Sequence, residues 1–211
     1  MSSPGFLNGK FDSKEVVSNR NNFFKKLRID PESVVATGSL HGNIVAAAGA
    51  KDAGKILKKV DGLLAKEGNL FLSLTVADCL PVYLYDSENQ VIGLLHCGWR
   101  GIASGILENG IKKMTEQFGS STKDILAGIG PGISKCHFEV GQDVAKKLGS
   151  SGKFIDLKDL AAKKLLALGL EQKNIEINPE CTFCCADKYF SFRRDKPQKT
   201  QTMVAVIGMK N

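Results

Sequence analysis

The sequence lacks the features that mark membrane and secreted proteins. No apolar run in its 211 residues approaches the roughly 18 residues that would span a bilayer. The N-terminal stretch MSSPGFLNGKFDSKE has no basic segment followed by an apolar core, which a secretory signal would need. We therefore expect a cytoplasmic protein with no membrane partner. Repeats, low-complexity tracts and obvious linkers are also missing, so a single domain over residues 1–211 is expected.

Arginine is scarce, and the basic residues are not clustered. The net charge of +7 comes mostly from lysine, with 24 lysines against 5 arginines spread along the chain. Surfaces that bind nucleic acids favour arginine, stacking aromatic side chains and a clustered basic stripe. Scattered lysines usually solvate helix faces, so we expect no nucleic-acid partner.

The six cysteines occur in a chain that carries no secretory signal. Outside oxidising compartments, cysteines are mostly reduced thiols and not disulfides. Some of the six are therefore expected to be metal ligands or catalytic groups.

Hydrophobic periodicity predicts strands that occur both as hairpins and separated by helices. PVYLYD and QVIGLLH, joined by the polar turn DSENQ, are predicted to form a hairpin. Apolar residues recur at helical spacing from Ile102 to Phe118, where Gly119 ends the pattern, and a second helix is predicted over residues 157–168. This mixture predicts an α+β (mixed α/β) fold in which mixed β-sheets carry helices packed outside. The other predicted elements are a helix through EVVSNRNNFFKKL, two strands in ESVVATGSLHGNIVAAAG, a short element in VDGLLA, and strands in NLFLSLTVA, DILAGIG, NIEIN, YFSFRRD and TMVAVIG.

Two of the buried segments are interrupted by residues that bind metals. LTVADCLPVYLYD breaks at Asp78 and Cys79, and VIGLLHCGWRG ends in His96. The chain has only three histidines, His41, His96 and His137, each beside Gly or Cys in a predicted loop or strand end. Three protein ligands and one water leave a zinc ion reactive, and His41, Cys79 and His96 provide such a set. Spacing alone leaves open the alternative of a buried structural cysteine with two hydrogen-bonded histidines.

Four separated motifs resemble those of a known family. TVADCLPV, HCGWRG, GIGPGISKCHFEVG and CTFC followed by YFSFRRD occur in the order found in the laccase-domain family, also called multicopper polyphenol oxidase-like or YfiH-type proteins. The resemblance runs from about Arg20 to Asp195. It implies a domain of the CNF1/YfiH-like type with a zinc site at His41, Cys79 and His96. It also implies small-molecule substrates, with phosphorolysis of adenosine, inosine or methylthioadenosine and deamination of adenosine. We expect a monomer.

The sequence departs from the family pattern in several places. Ser39 and Leu40 stand where the family usually has glutamine and valine, and Cys97 replaces a common alanine. His137 and Phe138 replace cysteine and tyrosine, and QKTQTMVAV lacks the usual threonine-glycine-arginine before the last strand. A multicopper centre needs many more imidazoles than three histidines supply. Zinc is therefore the expected cofactor, with copper binding adventitiously at the same ligands.

Roles in catalysis are predicted for four more residues. Asp78 is a candidate acceptor for an imidazole N–H, although a plain turn acid would look the same. Arg100 lies at the start of a predicted helix, where a guanidinium suits phosphate, although it could instead hold the loop. Cys136 and His137 are candidates for proton transfer, with His137 favoured because histidine titrates near neutrality, although a structural role is also open.

The cysteines and arginines near the C-terminal end of the chain have two possible roles each. A zinc knuckle at CTFCC would need a fourth ligand that is not evident, so Cys181, Cys184 and Cys185 are predicted to be buried thiols. Arg193 and Arg194 suit ion pairing or substrate binding.

Three other function classes are considered at this point. A true copper oxidase, already disfavoured by the number of histidines, would be blue and would consume oxygen. A cysteine hydrolase with Cys79 as nucleophile and His96 or His41 as base would contain the same residues. A non-catalytic, zinc-stabilised binding module would contain the metal site but no substrate pocket.

Overall fold

The computed structural model describes residues 3–4, 14–196 and 201–210. The QKT segment before the last strand and most of the N-terminal stretch lie outside these residues. The strands are β1 Ser3–Pro4, β2 Val34–Gly38, β3 Val45–Ala47, β4 Ile56–Lys58, β5 Gly62–Ala65, β6 Phe71–Val76, β7 Leu80–Asp86, β8 Val91–Cys97, β9 Ile125–Ile129, β10 Ile175–Ile177 and β11 Gln201–Gly208. The α-helices are α1 Lys14–Lys26, α2 Trp99–Ser104, α3 Ile106–Phe118, α4 Gln142–Lys147, α5 Leu157–Ala167 and α6 Phe192–Asp195.

The strands form two mixed sheets. One sheet has the order β10-β9-β7-β8-β5-β3 and the other the order β1-β11-β6-β2-β4. Parallel pairs such as β2 with β6 stand beside antiparallel pairs such as β7 with β8. The predicted hairpin is confirmed, and its register pairs Pro81 with His96. The mixed α/β fold class is confirmed as well.

The alternation of side chains along β8 divides the core into two layers. Val91, Leu95 and Cys97 pack in a cluster that includes residues of α3 and α5. Ile92 and Leu94 pack in a second cluster with residues of β6 and β11 from the other sheet. Because successive side chains of a strand alternate between its faces, His96 shares the inter-sheet face with Ile92 and Leu94. The His96 side chain, near the end of β8, therefore lies between the two sheets.

The long helix predicted after the HCGWRG motif begins earlier and is broken once. It starts at Trp99, and Gly105 with φ 92° separates α2 from α3. The end at Gly119 is confirmed, since this residue has φ 74° and its N–H bonds back to the last turn of α3. The predicted helix near residues 157–168 is also confirmed, with the Asp156 side chain capping its first turn.

One predicted strand was wrong, and three elements were not predicted. YFSFRRD contains the short helix α6, which begins because the Ser191 hydroxyl accepts a hydrogen bond from the Arg194 N–H. The elements β1, β4 and α4 had no clear signal in the sequence. The two strands flanking His41 exist, but β2 and β3 belong to different sheets. Across the described part of the chain, no helix combines the length and apolar character needed to cross a membrane.

Candidate functional site

The structure brings His41, Cys79 and His96 together. Their candidate ligand atoms all lie within 4.8 Å of one another. His41 comes from the turn after β2, Cys79 from the link between β6 and β7, and His96 from the end of β8. The set combines residues far apart in the chain because three strand ends meet at one edge of the two sheets.

The backbone at this site is held in an unusual conformation. His41 and Asp78 have φ values of 61° and 78°, in the left-handed region that costs non-glycine residues about 1–3 kcal/mol each. The carboxylate of the buried Asp61 supports the first of these turns. It accepts hydrogen bonds from the N–H groups of Leu40 at 3.0 Å, His41 at 2.8 Å and Gly42 at 2.9 Å.

The Asp61 carboxylate also contacts the imidazole ring of His96. Asp61 Oδ1 lies 3.4 Å from His96 Nδ1, and both side chains are almost fully buried. Burial alone would raise the pKa of Asp61, but the hydrogen bonds from His96, Gly42 and Leu40 outweigh it and lower the pKa. With Nδ1 facing Asp61, Nε2 is the nitrogen of His96 that can bind a metal. Asp61 thus orients both histidines.

Asp78, the sequence candidate for an acceptor of an imidazole N–H, has other partners in the structure. Its carboxylate instead accepts from the Thr182 hydroxyl at 2.6 Å and from the Arg193 N–H at 2.7 Å. These bonds tie the link before Cys79 to the C-terminal part of the chain. Sequence reasoning missed Asp61, although an acid that opens the apolar segment VDGLLA is a signal that could have identified it.

Cys79 and His96 form a strongly polarised pair. Burial disfavours the thiolate, but His96 and His41 outweigh it and lower the pKa of Cys79 to about 6. Burial likewise disfavours the imidazolium, but the neighbouring Cys79 and Asp61 raise the pKa of His96 to about 9. A cysteine that ionises below neutral pH is suited to metal binding, because the ligand is the thiolate.

Two glycines of the HCGWRG motif allow this close packing. A Cβ at Gly98 would lie 2.8 Å from Cys79 Sγ and 3.4 Å from His41 Cδ2. A Cβ at Gly101 would lie 2.8 Å from the Gly42 carbonyl oxygen. The start of α2 can therefore approach the His41 turn only without side chains at these positions.

The three residues line a cavity of about 380 Å³. This volume lies within the range of about 300–1,000 Å³ that is common for small-molecule sites. Trp99, Arg100, Ile133, Phe138, Phe192 and Arg193 also line it. A larger cavity of about 580 Å³ shares Thr202 with it, and among the described residues its lining contains no histidine or cysteine.

Two arginines bring positive charge to the cavity. The Arg100 guanidinium lies 4.3 Å from the centroid of the Trp99 ring and is exposed. The Arg193 side chain donates to the Glu139 carbonyl at 2.9 Å. Arg194 has a different role, because it pairs with Asp195 and donates to backbone carbonyls of its own segment. The arginine pair of the sequence is therefore divided between cavity and scaffold.

Cys136 and His137 are not part of the described lining of this cavity. The His137 ring stacks on Phe183, and its Nδ1 faces the thiols of Cys136 and Cys184. Their loop contributes Ile133 and Phe138 to the cavity instead. The prediction of buried thiols at CTFCC was correct only for Cys181, since Cys184 is exposed and Cys185 is partly buried.

The donor set at the cavity fits one metal ion with an open coordination position. Two imidazoles and one thiolate suit catalytic zinc, and the same set is found in blue-copper sites. A trinuclear copper cluster would require several further imidazoles. The chain has three histidines, and only His137 lies outside this donor set. The imidazoles that a trinuclear cluster needs are therefore not present.

Comparisons with known proteins show the family of the chain. The sequence model of a family described as multi-copper polyphenol oxidoreductase laccase matches residues 7–210. The chain is 33% identical to the purine nucleoside phosphorylase YlmD of Bacillus subtilis, covering 93% of this chain and 78% of that protein. It is 29% identical to a purine nucleoside phosphorylase of Bacteroides thetaiotaomicron, covering 87% and 76%. The crystal structure of YlmD from Geobacillus stearothermophilus superposes with a TM-score of 0.93 at 30% identity, covering 99% of this chain and 85% of that one.

Proposed function

The chain belongs to the multi-copper polyphenol oxidoreductase laccase family, and we propose that it acts as a zinc-dependent purine nucleoside phosphorylase. The proposed substrates are adenosine, inosine and methylthioadenosine with phosphate, and adenosine is also proposed to be deaminated. One observation supports this most: His41, Cys79 and His96 converge on the wall of a cavity that Arg100 also lines. The relatives named purine nucleoside phosphorylases supply the substrate class.

In the proposed reaction, His41, Cys79 and His96 would hold the zinc ion, and Asp61 would keep the two imidazoles oriented. When bound, zinc at such a site supplies Lewis acidity and lowers the pKa of a bound water to about 7, which suits deamination. Arg100 anchors phosphate beside the sugar, because a guanidinium binds phosphate oxygens with two hydrogen bonds. Trp99 and Phe192 offer apolar surface to the purine, and Phe192 is 49% exposed without it.

Phosphorolysis needs no reactant other than the nucleoside and phosphate. A phosphate oxygen forms a bond to the anomeric carbon while the bond from that carbon to the purine nitrogen breaks. The purine leaves with the bonding electron pair and takes up one proton, which hydrogen phosphate gives up. The products are the free purine base and ribose 1-phosphate, or 5-methylthioribose 1-phosphate when the substrate is methylthioadenosine.

The test is product analysis with zinc-loaded protein. Adenosine and phosphate should give adenine and ribose 1-phosphate, whereas inosine should form without any need for phosphate. Arg100→Ala should depress phosphorolysis more than deamination, because only phosphorolysis binds phosphate. Arg28→Ala, at an exposed arginine outside the cavity lining, is the matched control. Absence of turnover of all three nucleosides would refute the proposal.

A second candidate is a cysteine hydrolase, which the polarised Cys79–His96 pair favours. A thiolate with a pKa of about 6 beside an imidazole is the usual nucleophile of that class. The two functions require different states of Cys79, because a metal ligand cannot act as the free nucleophile. Phosphorolysis that is lost when zinc is removed supports the phosphorylase. Hydrolase activity that appears only after zinc is removed supports the cysteine hydrolase. A purely structural binding module would not require the cavity.

A further inference from the structure

A second group of cysteine and histidine side chains lies outside the cavity. Cys136 and His137 belong to the loop between β9 and α4, and Cys181 and Cys184 belong to the segment after β10. Their candidate ligand atoms all lie within 4.8 Å of one another. A bridge between Gly132 and Cys181 aligns the two segments, so the meeting of the four side chains is a feature of the fold.

The separations among Cys136, His137 and Cys184 are close to the edges of a tetrahedron around a metal ion. The thiol sulfurs of Cys136 and Cys184 are 3.7 Å apart, and His137 Nδ1 lies 3.2 Å and 3.3 Å from them. Zinc bonds of about 2.3 Å to sulfur and about 2.0–2.1 Å to nitrogen place two sulfurs about 3.8 Å apart and sulfur about 3.6 Å from nitrogen. These three ligands would bind zinc after shifts of a few tenths of an ångström, and the Cys181 sulfur lies within 4.8 Å of each of them.

Neighbouring groups hold the proposed ligands in orientation. The Ser134 N–H donates to Cys181 Sγ at 3.3 Å. The His137 ring stacks on Phe183 with centroids 3.9 Å apart and planes 13° apart. Since Nδ1 of His137 faces the thiols, the ring is already turned as a ligand requires.

We propose that Cys136, His137, Cys181 and Cys184 form a second, structural zinc site. Four protein ligands complete the tetrahedral coordination of zinc and leave no position for substrate. The site joins two segments that support the cavity. Arg193 of the cavity donates to the His137 carbonyl at 3.4 Å, and Thr182 donates to Asp78 beside Cys79. The second metal thus has a positioning role for the cavity wall.

The direct test is zinc content of protein purified under reducing conditions. The wild-type chain should hold about two zinc ions, as two separate clusters require. Cys184→Ser should lose one of them, whereas Cys185→Ser should lose none. Cys185 is the matched control, because it is the adjacent thiol and does not belong to the cluster. Cys136→Ser repeats the test from the other segment.

X-ray absorption at the zinc edge identifies the ligands independently of any loss of stability. In Cys79→Ala, which keeps only the second site, the remaining zinc should show three sulfurs and one nitrogen. One zinc ion in the wild-type chain that Cys79→Ala removes would overturn the proposal. A disulfide between Cys136 and Cys184 that persists under reducing conditions would also overturn it. Neither outcome bears on nucleoside turnover, so the second site and the proposed function fail separately.

Discussion

The two cysteine–histidine clusters of this chain use the same kinds of ligand in different numbers and surroundings. The cavity cluster has two imidazoles and one thiol, and its His96 is 3% exposed. The second cluster has three thiols and one imidazole; Cys136 and Cys184 are exposed, and His137 is partly buried. Three ligands leave zinc a position for water or substrate, whereas four fill its coordination sphere. Ligand number, and not depth of burial, should therefore separate the reactive site from the structural one.

The two clusters also differ in what orients their ligands. In the cavity cluster the Asp61 carboxylate holds both histidines, one through backbone N–H groups and one through its ring. In the second cluster backbone N–H groups and the Phe183 ring take this role. A carboxylate adds negative charge beside its metal and a backbone amide does not. The clusters should consequently respond differently to substitutions around them.

The largest expected effect is that of removing the metal. A chelator such as 1,10-phenanthroline should abolish phosphorolysis, with a loss of at least about 100-fold, since even changes behind the ligands cost about 10- to 100-fold. Zinc should restore it. We expect the cavity metal, with three protein ligands, to leave before the metal with four. Phosphorolysis that survives removal of all zinc would contradict the proposal that the enzyme depends on zinc.

Asp61→Asn should have the next largest effect. The amide nitrogen puts a donor at one of the two oxygen positions, so either the Gly42 N–H, or the His41 N–H together with the His96 ring, loses its acceptor. We expect zinc affinity at the cavity to fall by about 10- to 100-fold, measured by competition with a chelator. Asp124→Asn, at an exposed acid outside both clusters, is the control. Unchanged affinity would show that Asp61 does not orient the ligands.

Cys184→Ser should lower thermal stability more than it lowers activity. A ligand present at 100 times its Kd stabilises the folded state by about 2.7 kcal/mol. For a chain of this size, losing that stabilisation lowers Tm by about 5–11 °C. Phosphorolysis measured well below Tm should persist, with a raised KM, because only the cavity wall is loosened. Equal melting of Cys184→Ser and Cys185→Ser in the presence of zinc would contradict a structural metal.

The smallest effect concerns the acidity of the cavity thiol. In metal-free protein the rate at which iodoacetamide modifies Cys79 should rise with pH through about 6 and then level off. The sign follows from the lowered pKa, because only the thiolate reacts. Mass spectrometry should show no modification of the buried Cys97, whose pKa is raised by burial. Zinc should protect Cys79, and an inflection near its usual pKa of 9 would exclude the polarised pair.

The cavity ligands could be found from the sequence because each interrupts or ends a recognisable strand. Cys79 follows the apolar segment of β6, and His96 ends that of β8. Asp61 could not be placed in the same way, because strand periodicity does not tell which turn lies over the end of a strand. Its contact with His41 depends on two sheets meeting.

The second cluster was missed for a related reason. Cys181 and Cys184 form a C-x-x-C pair, but their partners lie in a separate loop that only the Gly132–Cys181 bridge brings near. The alternating aromatic residues of YFSFRRD are typical of a strand. The predicted strand does not form there because local hydrogen bonds stabilise a helical turn instead. The Ser191 hydroxyl caps the turn, and Asp195 accepts from the Ser191 N–H.

The most direct test compares two variants that should hold the same amount of zinc. Cys79→Ala and Cys184→Ser are each purified, their zinc content is measured, and both are assayed for adenosine phosphorolysis on the same day. Each should hold about one zinc ion per chain, the number that one remaining site binds. We predict that Cys184→Ser produces adenine and ribose 1-phosphate and that Cys79→Ala produces neither. Equal activities of the two variants, or activity in Cys79→Ala alone, would contradict the division into a reactive and a structural site.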